Sequence, residues 1–247
     1  MQQKPVNFRD RVYEHYVSEM KPELLSAGIQ SYEAWSAAAG RRLEGWLPPD
    51  KDTAILDLAC GPGNMLHLLK SAGYRKVTGV DRSLEQVDLA RKFGFEVHCA
   101  DVFGFLAKRS ADTDCIVAFD ILEHLEKDEM FSFLDACAKA LRPGGSLIIQ
   151  TPNAESPWGM SIRYTDITHE QAFDPSSLRH VLAVAGFGNF EVRECGPVVH
   201  GAVSLIRRLL WIVIRAGLAL WNLAETGSRG SGVYTRVFLA RAKRLSA

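Results

Sequence analysis

Three carboxylates and a glycine loop carry the first chemical signal in the chain. The loop reads Asp57-Leu58-Ala59-Cys60-Gly61-Pro62-Gly63-Asn64. Gly61 and Gly63 allow a tight turn and a close backbone approach to a ligand. The segment that follows has helical patterning, and the N-terminal amides of a helix favour negative charge. Asp81 stands 18 residues beyond Gly63, where a carboxylate accepts hydrogen bonds from both hydroxyls of a ribose. Asp101, after the next apolar run, is placed to meet an adenine amino group. Together these positions point to an adenosine-containing cofactor. A dinucleotide fingerprint needs a small residue where this chain has Leu66. Asp57 would moreover repel a pyrophosphate, while it suits an ammonium group. A nicotinamide oxidoreductase is therefore disfavoured.

Histidines supply the second signal, because imidazole titrates near neutral pH and serves as a general base. His124 closes the run Asp120-Ile121-Leu122-Glu123-His124. His169 closes Arg163-Tyr164-Thr165-Asp166-Ile167-Thr168-His169, a stretch too polar for a core. Asp166 could hold His169 in its working tautomer. His67, His98 and His180 fall inside helical or strand patterns and read as structural or surface groups.

Such groups, distant in sequence, need a frame that brings loops together. Short apolar runs at 53–59, 76–81, 96–101, 115–120 and 146–151 predict strands, with two more near 189–195 and 233–240. Between them, Asn64–Ser71 and 127–141 show helical spacing. Ser83 and Gln86 offer a capping box, and Asp174-Pro175 opens a helix with proline at its first position. Alternation of this kind means a parallel sheet with both faces covered, whose ligands lie beyond the carboxyl ends of the strands. The fold class expected is α/β and doubly wound. Residues 1–50 form a helical N-terminal cap. Residues 51–196 and 232–247 form the cofactor-binding domain, and 197–231 a helical insert.

Composition narrows the class. Hydrophobic residues at 47% and charged residues at 23% suit a globular chain and exclude disorder. Lys plus Arg and Asp plus Glu are 29 each, so no basic surface for nucleic acid is expected. Five cysteines without a C-x-x-C pair read as reduced thiols. The N-terminus lacks an apolar leader region, and the most apolar stretch, 209–224, is broken by Arg215. A cytoplasmic protein, at most peripheral to a membrane, is expected.

The motifs ILDLACGPGN (55–64), VTGVDRS (77–83), Asp101-Val102, FDILEHL (119–125) and LRPGGSLIIQTPN (141–153) resemble those of the class I S-adenosylmethionine-dependent methyltransferases. That resemblance implies a Rossmann-like, seven-stranded sheet whose last strand is antiparallel, with S-adenosyl-L-methionine as cofactor. It implies that Asp57, Gly61 and Gly63 face the methionine part, with Ala59 in the same loop. Asp81 with Arg82 would serve the ribose, Asp101 with Val102 the adenine, and Asp120 the vicinity of the methyl group.

A hydroxyl acceptor then needs a base, and His169 leads, with His124 beside it and Asp166 in support. The run RYTDITHEQAFDPSSL (163–178) resembles segments of sugar- and polysaccharide-modifying O-methyltransferases, implying a sugar, glycan or lipid-linked glycan acceptor. Asp120, Glu123 and His124 also match the acidic-x-x-Glu-His spacing of ubiquinone-biosynthesis O-methyltransferases. That likeness implies a polyprenyl quinone or small aromatic acceptor and a divalent metal. The D-x-L-E-H-L pattern occurs widely without metal, so no metal ligand is assigned. A catalytically silent cofactor-binding subunit is the remaining alternative. The helix 11–16 is expected to lid the cofactor, or to turn Tyr13 and Tyr16 into the core. In the insert, Leu205, Leu209, Ile212, Ala216, Leu220 and Leu223 form one stripe. It suits packing on its own domain or on a second copy, with a membrane surface as the other occupant.

Overall fold

Short runs rich in apolar residues form the central strands, and segments apolar at every third or fourth position form the helices between them. The computed structural model describes residues 8–26 and 28–246. The N-terminal part holds α1 (Phe8–Glu14), a π turn at Tyr16–Met20, a 3-10 turn at Pro22–Ser26 and α2 (Ile29–Arg42). Then come β1 (Ala54–Leu58), α3 (Asn64–Ser71), β2 (Lys76–Asp81), α4 (Leu84–Lys92), β3 (Val97–Cys99), α5 (Val102–Leu106) and β4 (Thr113–Phe119). A 3-10 turn at Leu122–His124 leads to α6 (Lys127–Ala140), β5 (Leu141–Pro152), α7 (Gly159–Thr165), α8 (Pro175–Val184) and β6 (Phe187–Glu194). The chain ends with α9 (Ala202–Thr226) and β7 (Val237–Arg244).

The seven strands form one sheet in the order β3-β2-β1-β4-β5-β7-β6. β1 pairs in parallel with β2 and β4, and β2 with β3, while β7 runs antiparallel to β5 and β6. This is the doubly wound, Rossmann-like sheet expected. Strand order reverses at β1 and β4, the switch point where such sheets open a ligand crevice.

The chain divides into two compact units. The first comprises the residues up to Phe119 together with Lys139–Gly145. Ile55, Leu58, Leu66, Leu69, Val80 and Ile116 form its dry centre. Parallel strands buried on both faces need such predominantly aliphatic sequence. The N-terminal segment is tied to this unit by Glu85, whose carboxylate accepts from the amides of Val17 at 2.8 Å and Ser18 at 3.2 Å. The second unit comprises Asp120–Ala138 and Ser146–Ala247. Phe133, Leu147, Ile148, Leu178, Leu182 and Phe238 fill its core.

Four local expectations need correction. Ser83 makes no capping bond: Asp81 takes the Ser83 amide instead, and the Ser83 hydroxyl stays buried without a partner. The last strand starts at Val237, because Asn153 Nδ2 donates to the carbonyls of Val233 and Thr235 and draws them out of the ladder. The stretch from Pro152 to Asp174, whose sequence shows no clear helical or strand period, nevertheless contains α7. The stripe on α9 does not pack on its own domain, for Leu205, Leu209, Ile212, Leu220 and Leu223 are all exposed.

Candidate active site

In the first unit, the glycine loop is held from three sides. Gly61 N donates to Asp81 Oδ2 at 2.9 Å, Cys60 N to the Val80 carbonyl at 3.0 Å, and the Tyr32 hydroxyl to the Pro62 carbonyl at 3.0 Å. Gly63 has φ +96°, and a Cβ there would lie 2.7 Å from the Phe95 ring. Ala59, just after β1, takes φ +56° without being glycine. Backbone strain of this kind gathers at ligand sites. Leu66 departs from the dinucleotide pattern, yet helix and strand still pack closely. Gly79 on β2 provides the room, since a Cβ there would meet Leu66 Cδ1 at 2.8 Å.

The two acids of this end are buried together. Asp57 is 2% exposed, and its Oδ2 has no partner. Burial, and then the nearby Asp81 carboxylate, push its pKa well above the usual range. Asp81 is likewise raised by burial, although the Ser83 and Gly61 amides pull it back. An orphaned acid beside a second acid is the environment a cationic ligand relieves. Asp101 has two roles to reconcile, because its Oδ1 accepts from Phe103 N and Gly104 N and caps α5. Only Oδ2 is left for an adenine. Val102, beside it, is buried. Arg82 lies over the Tyr13 ring at 4.9 Å, so α1 meets the residue next to Asp81. Tyr16 is buried and Tyr13 half-buried, so the core-facing reading holds for Tyr16. His67 is structural, bonded to Ser36 Oγ at 2.8 Å.

Asp57 makes this end testable through stability. A carboxyl raised on folding holds its proton better folded than unfolded. Its contribution is intact below the ordinary carboxyl range and is lost as pH rises through the folded value. Asp57→Asn removes that loss. The ligand-free variant is expected to melt above wild type at neutral pH, by roughly 2–4 °C per kcal/mol recovered. The gap should close in acid below about pH 4, and adenosylhomocysteine should bind the variant more weakly. A gap independent of pH would refute the buried-charge account.

In the second unit, a second set of groups converges. Asp120 follows β4 with φ +51°, and its carboxylate accepts from Gln150 Nε2 at 2.9 and 3.1 Å. Glu123 is 1% exposed and accepts from Thr151 Oγ1 at 3.2 Å. Burial, and then Asp120, raise its pKa well above the usual range. The imidazoles of His124 and His169 lie 4.7 Å apart between ring centres. One ligand atom each from Glu123, His124 and His169 falls within 4.8 Å of the others.

Hydrogen bonds set both tautomers. The Thr168 hydroxyl donates to Asp166 Oδ1 at 2.6 Å, so its oxygen must accept from His124 Nδ1 at 2.8 Å. His169 Nδ1 faces the Ile162 carbonyl at 3.2 Å and therefore donates. In its neutral form each ring then carries its lone pair on Nε2. Burial opposes charge on Asp166, but the Thr168 hydrogen bonds and the two histidines outweigh it and hold its pKa low. Two sequence expectations shift as a result. Asp166 orients His124 through Thr168, whereas His169 is set by a backbone carbonyl. The metal-type donor set is Glu123, His124 and His169, because Asp120 turns to Gln150. Thr168 and Gln150 were not singled out from the sequence, where nothing distinguishes them from ordinary loop and strand residues.

A methyltransferase domain model matches residues 28–192. The chain belongs to that family. Over 105 residues this methyltransferase is 32% identical to a ubiquinone biosynthesis O-methyltransferase of Aromatoleum aromaticum, covering 40% of the chain and 44% of that protein. It thus spans less than half the length of the curated relatives it matches. A SAM-dependent methyltransferase from Archaeoglobus fulgidus superposes with TM-score 0.64 at 21% identity, over 86% of this chain and 94% of that one. Phosphoethanolamine N-methyltransferase 2 of Haemonchus contortus, in complex with S-adenosyl-L-methionine, gives 0.62 at 14%, over 95% of this chain and 60% of that one. At such identities the likeness is one of fold. S-adenosyl-L-methionine is the cofactor; the orphaned Asp57 oxygen would suit its ammonium group, and the Asp81 carboxylate its ribose.

Proposed function

We propose that this methyltransferase transfers the methyl group of S-adenosyl-L-methionine to a hydroxyl of a polyprenyl quinone precursor or a similar small aromatic, with a divalent cation assisting. The observation that carries this reading is the convergence of Glu123, His124 and His169. A buried acid beside two imidazoles is a donor set for zinc-like or harder divalent ions. The name of the Aromatoleum relative supports the same acceptor class. A cation held by these three side chains would lower the pKa of the acceptor hydroxyl and fix its oxygen.

In the transfer itself the carbon–sulfur bond breaks as the carbon–oxygen bond forms. The sulfonium charge disappears, and the hydroxyl proton, acidified by the cation, passes to solvent water. An activated methyl needs alignment above all. Asp57, Asp81 and the glycine loop would fix the donor, while Asp166 and Thr168 hold His124 in its tautomer. The sugar or glycan acceptor suggested by residues 163–178 gains no support from these likenesses and remains the competing substrate.

The deciding experiment offers the purified protein a soluble prenylated catechol and a panel of glycans, with and without a chelator. Transfer to the catechol, lost to the chelator and restored by a divalent ion, is expected. Chelator-insensitive transfer to a glycan would overturn the reading. Binding of adenosylhomocysteine with transfer to no acceptor would favour the silent subunit.

A further inference from the structure

The longest helix of the chain leaves most of its circumference uncovered. α9 runs for 25 residues, of which Ser204 is the one buried. Its inner line is defined by contacts. Ser204 Oγ accepts from the amides of His200 and Gly201, at 2.8 and 2.9 Å. Trp211 lies against Gly196. Arg215 pairs with Glu194 at 3.4 Å and donates to the Gly232 carbonyl at 3.2 Å. At the helical pitch the remaining arc is roughly 200° wide. It carries Ile206, Leu209, Leu210, Val213, Leu220 and Trp221, and no charge. Val213 is 70% exposed, Leu220 66% and Trp221 68%. A surface of this kind marks an interaction site.

Width and charge decide what covers it. A single rigid partner helix covers a stripe of about 100°, and half of this arc would stay wet. Acyl chains conform to any width. From Cys195 to Ala224 the charged side chains are Arg207, Arg208 and Arg215, with no acid among them. Arg215 is engaged by Glu194, whereas Arg207 and Arg208 are exposed, with Arg207 at the margin of the arc. A second copy of this helix offers no acid to meet them before Glu225. Anionic headgroups do. Among the described residues no helix is long and apolar enough to cross a membrane, so the helix would lie along the surface.

We propose that α9 docks on an anionic lipid bilayer, its outer arc set among the upper acyl chains and Arg207 and Arg208 at the headgroups. The docking stands on the helix alone and does not depend on which acceptor is methylated. The element also adjoins the segment that orders His169. Residues 228–232 lead from its end to Glu155, whose carboxylate accepts from Ser231 N at 3.0 Å, and α7 then supplies the Ile162 carbonyl.

Flotation tests this with vesicles of phosphatidylcholine alone, or of equal parts phosphatidylcholine and phosphatidylglycerol. The full chain should float with the anionic vesicles. Val213→Asp with Leu220→Asp should reduce the floated fraction roughly tenfold or more. Arg207→Glu with Arg208→Glu should cost roughly tenfold on anionic vesicles, by loss of headgroup attraction, and little on neutral ones. Both pairs are exposed, and unchanged adenosylhomocysteine affinity confirms that the variants fold. Trp221 provides a second readout, since its emission should be quenched by brominated acyl chains. Absence of flotation on either composition would overturn the proposal, as would full flotation of the Val213→Asp, Leu220→Asp variant. A dimer in sedimentation that this variant dissociates, without lipid binding, would assign the surface to a second copy instead.

Discussion

Replacing either His124 or His169 by alanine is expected to lower methyl transfer roughly 100-fold or more, the usual scale for a positioned acid–base or ligating imidazole. Adenosylhomocysteine affinity should stay near that of wild type, because Asp57, the glycine loop, Asp81 and Asp101 lie on other segments. The two rings are held differently, and that gives the prediction internal structure. Asp166, Thr168 and His124 form a chain of hydrogen bonds ending in a lone pair on Nε2. Thr168→Val breaks the chain without touching the ring, so its activity should fall between wild type and His124→Ala. Asp166→Asn should behave likewise. Neither change should resemble His169→Ala, whose ring takes its orientation from the Ile162 carbonyl. The variants also separate two chemistries. If the histidines ligate a cation, both alanine variants lose divalent-ion affinity, and excess ion recovers part of the rate. If one is a metal-free base, its variant loses the acidic limb of the pH–rate profile and ion affinity never enters. Activity within a few-fold of wild type in both variants would remove the cluster from the chemistry.

Much of the frame was legible because its signals are local. Short runs rich in aliphatic residues, such as 53–59 and 76–81, spaced between helical segments, admit few alternatives to a buried parallel strand. The glycine loop with Asp57, and Asp81 beyond it, pointed to an adenosine-containing cofactor by charge and conformational freedom, and the structure brings these groups to one end of the first unit. What escaped was set by contacts between distant residues. Ser83 and Gln86 have capping-box spacing, yet the Asp81 side chain reaches the Ser83 amide first. The start of β7 is fixed by Asn153, far away in sequence. His169 joined Glu123 and His124, and Asp120 left them, because the loop after β5 folds back. Glu170 N and Gln171 N donate to the Glu123 carbonyl. No spacing rule reports such a return. For α9, periodicity found an apolar stripe but could not tell a packed face from a bare one.

Asp81→Ala should weaken adenosylhomocysteine binding by more than tenfold, about 1.4 kcal/mol or more. Part of any such loss is indirect, because Asp81 also accepts from Gly61 N and Ser83 N, and its removal loosens the loop. A ligand change separates the two contributions. Adenosylhomocysteine lacking the ribose 2′-hydroxyl should bind wild type several-fold more weakly, since Asp81 then loses one of its donors. Asp81→Ala has no carboxylate to lose it from, so the variant should bind the two ligands almost equally. Asp101→Ala provides the contrast. It removes the cap of α5, which costs about 1 kcal/mol of stability, and it should leave the 2′-hydroxyl preference untouched. Calorimetry in which wild type does not distinguish the two ligands would sever Asp81 from the ribose, whatever the alanine variant does to affinity. Equal discrimination by wild type and Asp81→Ala would have the same consequence, leaving Asp81 only the task of holding the loop at Gly61.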